Sequence, residues 1–195
     1  MTENKEENAS LAGFSAAKFL FEGRYLVVSE GINSKVAKSV IEQLYAFDAA
    51  DSKKDIVMVL NSPGGEVNSG YAIYDTMRFI RPDVKVVVSG LCASIATVIF
   101  LGAKKEHRFS LPNSRFLIHQ PLISGHVQGQ ASDIEITARE IMKTREKIAH
   151  LYVQETGKNF DQVMQDIERD YWMNADEAKD YGLLTTIVDK WTDAL

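Results

Sequence analysis

Three residues of the types that cooperate in nucleophilic catalysis stand where α/β proteins place their sites. Ser94 lies between an apolar strand and the apolar run 95–103, His119 ends the predicted strand 115–119, and Asp170 precedes a predicted short helix. A serine hydroxyl attacks a carbonyl efficiently only when a base takes its proton, and a carboxylate can orient that base. The three residues therefore permit a Ser-His-Asp triad.

Each of these residues also has an ordinary structural interpretation. A serine that starts a helix is most often an N-cap, and strand-end histidines and helix-boundary aspartates are common without catalysis. The G-x-S-x-G elbow of α/β-hydrolases does not occur, because Ala96 stands where its second glycine should be. The other histidines, His107, His126 and His150, lie among polar or charged residues and are expected at the surface. The residues alone leave both interpretations open.

A glycine pair closes the sequence NSPGG, residues 61–65, between a predicted strand and a predicted helix. Glycines at this point allow a sharp turn and let a backbone N–H point into a site. The motif lacks the lysine of a phosphate-binding P-loop, and a single Gly-Gly turn more often serves only as a turn.

Apolar strand-like segments alternate with helical ones, and they predict the elements that position these residues. Continuous apolar strands followed by helices indicate parallel βαβ units whose sheet is buried on both faces. One α/β domain is expected. Asn33 or Ser34 should cap the helix 33–47, and a capping box from Asn174 to Glu177 should start the helix 174–182, which Gly182 ends. The predicted strands are 24–28, 55–60, 84–90 and 115–119, and the predicted helices are 33–47, 69–80 and 174–182.

Residues 132–156 form an unusually long predicted helix, with apolar residues along one face and charges on the other. Such a helix either lies along its own domain or forms an arm that packs against another copy of the chain. The pattern favours neither.

Composition excludes several classes of protein. Of the 195 residues, 45% are apolar, which is enough for one hydrophobic core. The formal net charge of −5 argues against nucleic-acid binding. Cys92 is the single cysteine, so neither an internal disulfide nor a thiolate metal cluster is expected. The apolar run 91–103 is shorter than the roughly 20 residues that span a bilayer, and the polar first ten residues lack a secretory pattern. A soluble, cytoplasmic protein with a flexible segment 1–20 is expected.

Several segments of the chain resemble the proteolytic subunits of ATP-dependent Clp proteases. They span most of residues 24–188 in the order found in that family, and they read NSPGGEVNSGYAIYDTMRFI, CAS around Ser94, LPNSRFLIHQP, QGQASDIEITAREI and RDYWMNADEAKDYGL. The resemblance implies a crotonase-like (ClpP-like) α/β fold for residues 21–195. It also implies a protruding strand-and-helix handle at about 122–156 and an axial role for residues 1–20.

By position, the resemblance implies that Ser94 is the nucleophile, His119 the general base and Asp170 the residue that orients the histidine. Gly65 and Ile95 would supply the two backbone N–H groups of the oxyanion hole. The implied activity is that of a serine endopeptidase that cuts unfolded polypeptides. An AAA+ unfoldase of the ClpX, ClpA or ClpC type would deliver them and consume the ATP, since this chain has no Walker motif and needs no cofactor. Two stacked heptameric rings, of one subunit or mixed with a sister subunit, would form the complex.

The sequence departs from the family pattern in four places. Ile-Ala-Thr (95–97) replaces Met-Gly-Ala after the serine, residues 122–127 replace a shorter segment with a glycine pair, and the usual axial-loop sequence is missing. Val57 and Val59 replace aromatic residues that line the unfoldase-docking pocket. These departures predict a specialised second isoform that works in a mixed complex. The alternatives are a weakly active or mainly structural ring subunit, and a crotonase-type acyl-CoA enzyme on the same fold.

Overall fold

The structure, a computed structural model, describes residues 15–122 and 128–194. Its helices are α1 (Ala16–Glu22), α2 (Ser34–Ala50), α3 (Val67–Phe79), α4 (Ile95–Phe100), α5 (Ala131–Thr156), α6 (Phe160–Asp166) and α7 (Ala175–Tyr181). Its strands are β1 (Tyr25–Val28), β2 (Ile56–Ser62), β3 (Val84–Ala93), β4 (Arg108–Ser110), β5 (Arg115–Ile118), β6 (Tyr171–Asn174) and β7 (Thr186–Ile187), and short 3₁₀ turns occupy Lys105–His107 and Trp191–Asp193.

The strands form one mostly parallel sheet, as the alternation of strands and helices predicts. Its order is β1-β2-β3-β4-β7, and β5 pairs with β3 and β6. Among the described strands only the β5–β6 pair is antiparallel. The strands β4, β6 and β7 were not predicted from the sequence. β4 and β7 have only three and two residues, too few to show a pattern, and three of the four residues of β6 are exposed.

The expectation that the sheet is buried on both faces is wrong for one face. Leu26, Ile56 and Met58 lie in the large core together with residues of α2, α3 and α4. The strands β1, β2, β3 and β4 follow one another across the sheet in chain order. Because the crossovers between them are right-handed, their helices lie on the same side of the sheet. Within the described residues, the other face therefore has only a small cluster beneath the carboxyl-terminal residues, and Val27 there is 52% exposed. This cluster consists of Val57, Val87, Phe109, Val188 and Ala194.

The strand β3 runs three residues further than predicted, and this extension positions Ser94. Residues 86–88 pair with β4, whereas residues 91–93 pair with β5. Gly90, with φ of 108°, lies between the two parts, in a conformation that glycine adopts without steric cost. Because Ala93 pairs with Leu117, the residues that follow β3 and β5 lie side by side at one edge of the sheet.

The helix caps agree with the sequence. Asn33 accepts a hydrogen bond from the Val36 N–H at the start of α2. Asn174 and Glu177 form the predicted capping box of α7, and Gly182 ends that helix in the left-handed conformation. Each cap satisfies backbone groups that the helix itself leaves unpaired.

The helix α5 is 26 residues long, and at 1.5 Å per residue it extends for about 39 Å. Residues 131–140 are all exposed, and only Ile148, Ala149 and Tyr152 are buried. The first part of α5 therefore does not lie along its own domain within the described residues, which excludes one of the two interpretations of its length.

Two predictions fall partly or wholly outside the described residues. Of the predicted flexible segment 1–20, the structure describes residues 15–20, and those from Ala16 onward belong to α1. Of the segment 122–127, it describes only Leu122. Within the described ranges, every helix is too short or too polar to cross a lipid bilayer.

Candidate active site

Ser94 occupies a strained turn between β3 and α4. Its φ of 56° and ψ of −128° lie outside the regions that residues other than glycine favour, at a cost of about 1–3 kcal/mol. Three hydrogen bonds hold the residue there: its N–H donates to Leu117 O at 2.9 Å, and the N–H and hydroxyl of Thr97 donate to Ser94 O at 3.0 and 2.6 Å. Ser94 occupies the N-cap position of α4, but its hydroxyl makes no helix-capping bond, so capping does not explain its side chain.

The Ser94 hydroxyl instead contacts His119, which follows the end of β5. The Ser94 Oγ lies 2.8 Å from His119 Nε2, and His119 Nδ1 lies 2.9 Å from Asp170 Oδ1. A carboxylate can only accept, so Nδ1 carries the proton and Nε2 is free to accept from the serine. The structure thus brings the three predicted residues together in one hydrogen-bonded series.

Asp170 reaches His119 through an element that the sequence did not reveal. We predicted a turn directly before a helix, but Asp170 precedes the strand β6, and the helix α7 comes only after that strand. The strand β6 pairs antiparallel with β5, with Tyr171 opposite Ile118. This register places Asp170 beside the residue that follows Ile118, which is His119.

The glycine turn of residues 61–65 packs directly against Ser94. Gly64 and Gly65 have φ of 90° and 151°. A Cβ atom added to Gly64 would lie 2.6 Å from Ala93 O, 2.7 Å from Ser94 Cβ and 3.1 Å from Ile95 N. A Cβ atom on Gly65 would lie 2.0 Å from Ile32 O. Only glycine permits this approach.

Two backbone N–H groups in this region have no hydrogen-bond acceptor in the part of the chain that the structure describes. Neither the Gly65 N–H nor the Ile95 N–H donates a hydrogen bond to any other described residue. Ile32 N donates to Gly64 O, and Glu66 N donates to Ile32 O, both at 2.8 Å. These bonds fix the turn while leaving the Gly65 N–H available, and Ile95 begins α4, where N–H groups are unpaired.

Comparison of the sequence with known proteins shows which family the chain belongs to. Residues 7–191 match the model of the Clp protease family. The ATP-dependent Clp protease proteolytic subunit 1 of Protochlamydia amoebophila (strain UWE25) is 41% identical over 174 residues, which cover 89% of this chain and 84% of that protein. The chain belongs to the Clp protease family.

Membership of the Clp protease family defines the fold and the general activity. The mostly parallel sheet with its helices is the ClpP-like α/β fold, and the chain is a serine endopeptidase of the Clp type. The resemblance drawn from the sequence is therefore confirmed.

A hydrogen-bonded pair of buried hydroxyl groups, those of Thr97 and Tyr152, lies near Ser94 and was not predicted from the sequence. The Tyr152 hydroxyl lies 2.5 Å from Thr97 Oγ1, which is 2.6 Å from Ser94 O. Thr97 has one hydroxyl proton and directs it to the carbonyl, so Tyr152 is the donor to Thr97. The only signal in the sequence was that Thr97 departs from the family's alanine.

A second set of contacts, also missed, ties Asp170 to the long helix α5. The Gln120 N–H donates to Ile167 O at 2.6 Å, and its side chain donates to Glu168 O at 2.8 Å. Arg145 of α5 forms an ion pair with Glu168 at 2.5 Å. The segment that leads to Asp170 is thereby fixed both to the neighbour of His119 and to α5. This matters because the Asp170 side chain is 62% exposed and has little packing of its own.

Cys92, His107 and His150 form no hydrogen bond with Ser94, His119 or Asp170. Cys92 is fully buried, and burial raises the pKa of its thiol, so it is a poor nucleophile despite its position two residues before Ser94. His150 is exposed as predicted and stacks on Phe160, but His107 is half-buried, 4.0 Å from the Asp83 carboxylate. His126 lies outside the described residues. No cluster of three or more His, Cys, Asp or Glu side chains suited to a metal ion occurs in the described ranges.

Proposed function

We propose that this chain hydrolyses unfolded polypeptides with Ser94 as the nucleophile, His119 as the general base and Asp170 as the carboxylate that orients it. The observation that carries the proposal is the pair of hydrogen bonds in series, Ser94 Oγ to His119 Nε2 and His119 Nδ1 to Asp170 Oδ1. A serine that served only as a helix cap would bond an N–H group of its helix, whereas the Ser94 hydroxyl contacts His119.

The chemistry follows from these two bonds. As Ser94 Oγ attacks the peptide carbonyl, its proton passes to His119 Nε2, and Asp170 stabilises the imidazolium that forms. His119 then gives that proton to the leaving amine, and the acyl group remains on Ser94. Water attacks the acyl-enzyme with His119 again acting as the base, which releases the second product and restores Ser94.

The carbonyl oxygen becomes negatively charged during each attack, and the N–H groups of Gly65 and Ile95 are proposed to stabilise it. Neither N–H has an acceptor among the described residues. The close packing of Gly64 on Ser94 brings the glycine turn next to the start of α4. Fixed donors aimed at a developing oxyanion contribute about 10²–10³ in rate for each donor.

The exposed part of α5 supports assembly into rings. Ile134, Ile136 and Met142 are apolar, yet they are 42–56% exposed in the single chain. Family membership implies rings that work with an unfoldase, and the relative from Protochlamydia amoebophila is by name an ATP-dependent subunit. We propose that α5 packs against other subunits in two stacked heptameric rings. An AAA+ unfoldase of the ClpX, ClpA or ClpC type would dock on this complex and use the ATP.

The face around Val57 supports a mixed complex over one built of this chain alone. The family's aromatic docking residues are replaced here by Val57 and Val59. Val57 is buried, and its cluster includes Val188 and Ala194 from the carboxyl-terminal residues. Large aromatic anchors dominate binding energy at such surfaces, and two valines, of which Val57 is covered, cannot supply it. We infer that a sister subunit recruits the unfoldase.

The proposal predicts the outcome of a mixing experiment. The chain, together with an unfoldase, is assayed for degradation of a tagged protein alone and with a sister Clp subunit whose nucleophilic serine is changed to alanine. We expect degradation only in the mixture, where every cut must come from this chain, and native mass spectrometry should show both subunits in one particle. Full-rate degradation by the chain alone would refute the mixed complex.

The same experiment tests the alternative of a weakly active or mainly structural ring subunit. A structural subunit assembles with the inactive sister but cuts nothing, whereas the proposed peptidase cuts in that mixture. Nothing in the described geometry favours the acyl-CoA alternative, because that chemistry has no need of Ser94, His119 and Asp170 in one hydrogen-bonded series.

A further inference from the structure

A narrow apolar pocket opens beside the Ser94 and His119 side chains. Its volume is about 10 Å³, close to the room that a single water needs. It is lined by Val67, Ile95, Val98, Pro121, Ile148 and Tyr152. In the mechanism proposed above, the carbonyl carbon sits on Ser94 Oγ and its oxygen faces the Gly65 and Ile95 N–H groups. The residue whose carbonyl is attacked is here called the acyl residue. Its side chain can enter this pocket, because Ser94 and Ile95 themselves line it.

The floor of the pocket is held in place by hydrogen bonds. Tyr152 is 1% exposed, and its hydroxyl donates to Thr97, which in turn donates to Ser94 O. A rotation of the Tyr152 ring that widened the pocket would leave the buried Tyr152 hydroxyl without its partner, which is unfavourable. The substrate therefore meets a fixed ring.

The walls are equally constrained. Ile95, Val98 and Ile148 are β-branched, so few side-chain conformations are open to them, and all three are at most 5% exposed. Ile95 is also packed tightly on α3, because a Cβ atom at Gly70 would lie only 2.2 Å from Ile95 Cγ1. None of these walls can withdraw without disturbing the close-packed core behind it.

We propose that this pocket makes the chain selective for substrates with a small acyl residue, namely alanine, serine or glycine, and that Tyr152 and Ile148 determine this selectivity. The inference rests on the proposed function and deepens it. Leucine, methionine and phenylalanine side chains do not fit the volume, so peptide bonds after them are cut slowly. Thr97 acts as a positioning residue that holds Tyr152.

The test is a set of peptides that differ only in the acyl residue, alanine, valine, leucine or phenylalanine. The enzyme is the full chain assembled with a sister subunit that carries a serine-to-alanine change. A single surplus methylene in a hydrophobic pocket costs about 10–200-fold in kcat/KM. Valine carries two carbons more than alanine and leucine three, so we expect alanine to exceed valine by about 100-fold and leucine by about 1,000-fold or more. A parent enzyme that cuts best after leucine or phenylalanine would overturn the inference.

Substitutions of the pocket residues, assayed with the same peptides, are the second part of the test. Ile148→Ala removes three carbons from the wall and is expected to raise kcat/KM for the leucine peptide at least tenfold relative to the alanine peptide. Ile148→Val removes one carbon with less risk to folding and should shift the ratio in the same direction by less. Tyr152→Phe keeps the ring but frees it from Thr97, and it should also relax the selectivity. Ile41→Ala, the same change in the half-buried part of α2, should leave the ratio unchanged.

The outcomes separate this inference from the proposed function. Ser94 is labelled in parallel with a small fluorophosphonate, which does not need the pocket. Normal labelling with an unchanged peptide ratio in folded Ile148→Ala and Ile148→Val would overturn the pocket assignment and leave the triad intact. Absence of both labelling and hydrolysis of every peptide would overturn the proposed function and this inference with it.

Discussion

Replacing Asp170 by asparagine is expected to lower kcat for peptide hydrolysis by about 10⁴-fold. The Asp170 carboxylate accepts from His119 Nδ1, so the proton sits on Nδ1 and Nε2 can take the proton of Ser94. An asparagine amide can donate to Nδ1 and thereby stabilise the tautomer with its proton on Nε2. That tautomer cannot act as the base toward Ser94. Initial rates of peptide hydrolysis at saturating substrate measure the effect.

A matched variant separates the role of Asp170 from a general loss of negative charge. Asp180→Asn makes the same chemical change at an exposed position of α7, and its kcat should stay within about twofold of the parent. The particle mass of both variants should match that of the parent in native mass spectrometry. If Asp170→Asn retains most of its activity while it remains assembled, Asp170 does not orient His119.

Replacing Gly64 by alanine is expected to lower kcat/KM by about 10²-fold or more, although the residue carries no functional side chain. An added Cβ atom would lie 2.6 Å from Ala93 O and 2.7 Å from Ser94 Cβ, which real atoms do not tolerate. The turn must move away from Ser94, and the Gly65 N–H moves with it. Loss of one oxyanion donor typically costs about 10²–10³ in rate. Steady-state kinetics with the same peptide measure the loss.

Gly157 provides the control for backbone strain at Gly64. Gly157 also has a positive φ, 75°, but a Cβ atom there would meet nothing within 4 Å. Both alanine variants force the left-handed conformation on a residue with a side chain, at a cost of about 1–2 kcal/mol in folding free energy. Gly157→Ala should lose thermal stability through backbone strain alone and keep nearly full activity. Equal activity losses in the two variants would show that strain, and not contact with Ser94, is responsible.

The rules of parallel sheets predict that Ser94 and His119 lie near each other, whereas the roles of Ser94, His119 and Asp170 came from the family resemblance. Ser94 and His119 each follow an apolar strand, and the carboxyl ends of parallel strands meet at one edge of the sheet. The caps of α2 and α7 could also be predicted, because Asn33, Asn174 and Gly182 act on their own helix ends. Such local effects can be recognised in a single sequence.

The features that the sequence did not reveal depend on contacts between distant segments. The strand β6 has four residues, three of them exposed, and it is recognisable only by its pairing with β5. Thr97 and Tyr152 are 55 positions apart, and neither residue type alone indicates a buried hydrogen bond. The exposed face of the sheet at Val27 follows from the order of the strands in the sheet, and the pattern of apolar residues does not reveal that order.

The most direct test of the account is whether Ser94 is the nucleophile. The assembled chain is treated with a fluorophosphonate probe, and the site of modification is located by mass spectrometry of its peptides. The account predicts stoichiometric labelling at Ser94, much slower labelling in His119→Ala because the base is lost, and none in Ser94→Ala. Labelling at another residue, or labelling that persists in Ser94→Ala, would contradict it.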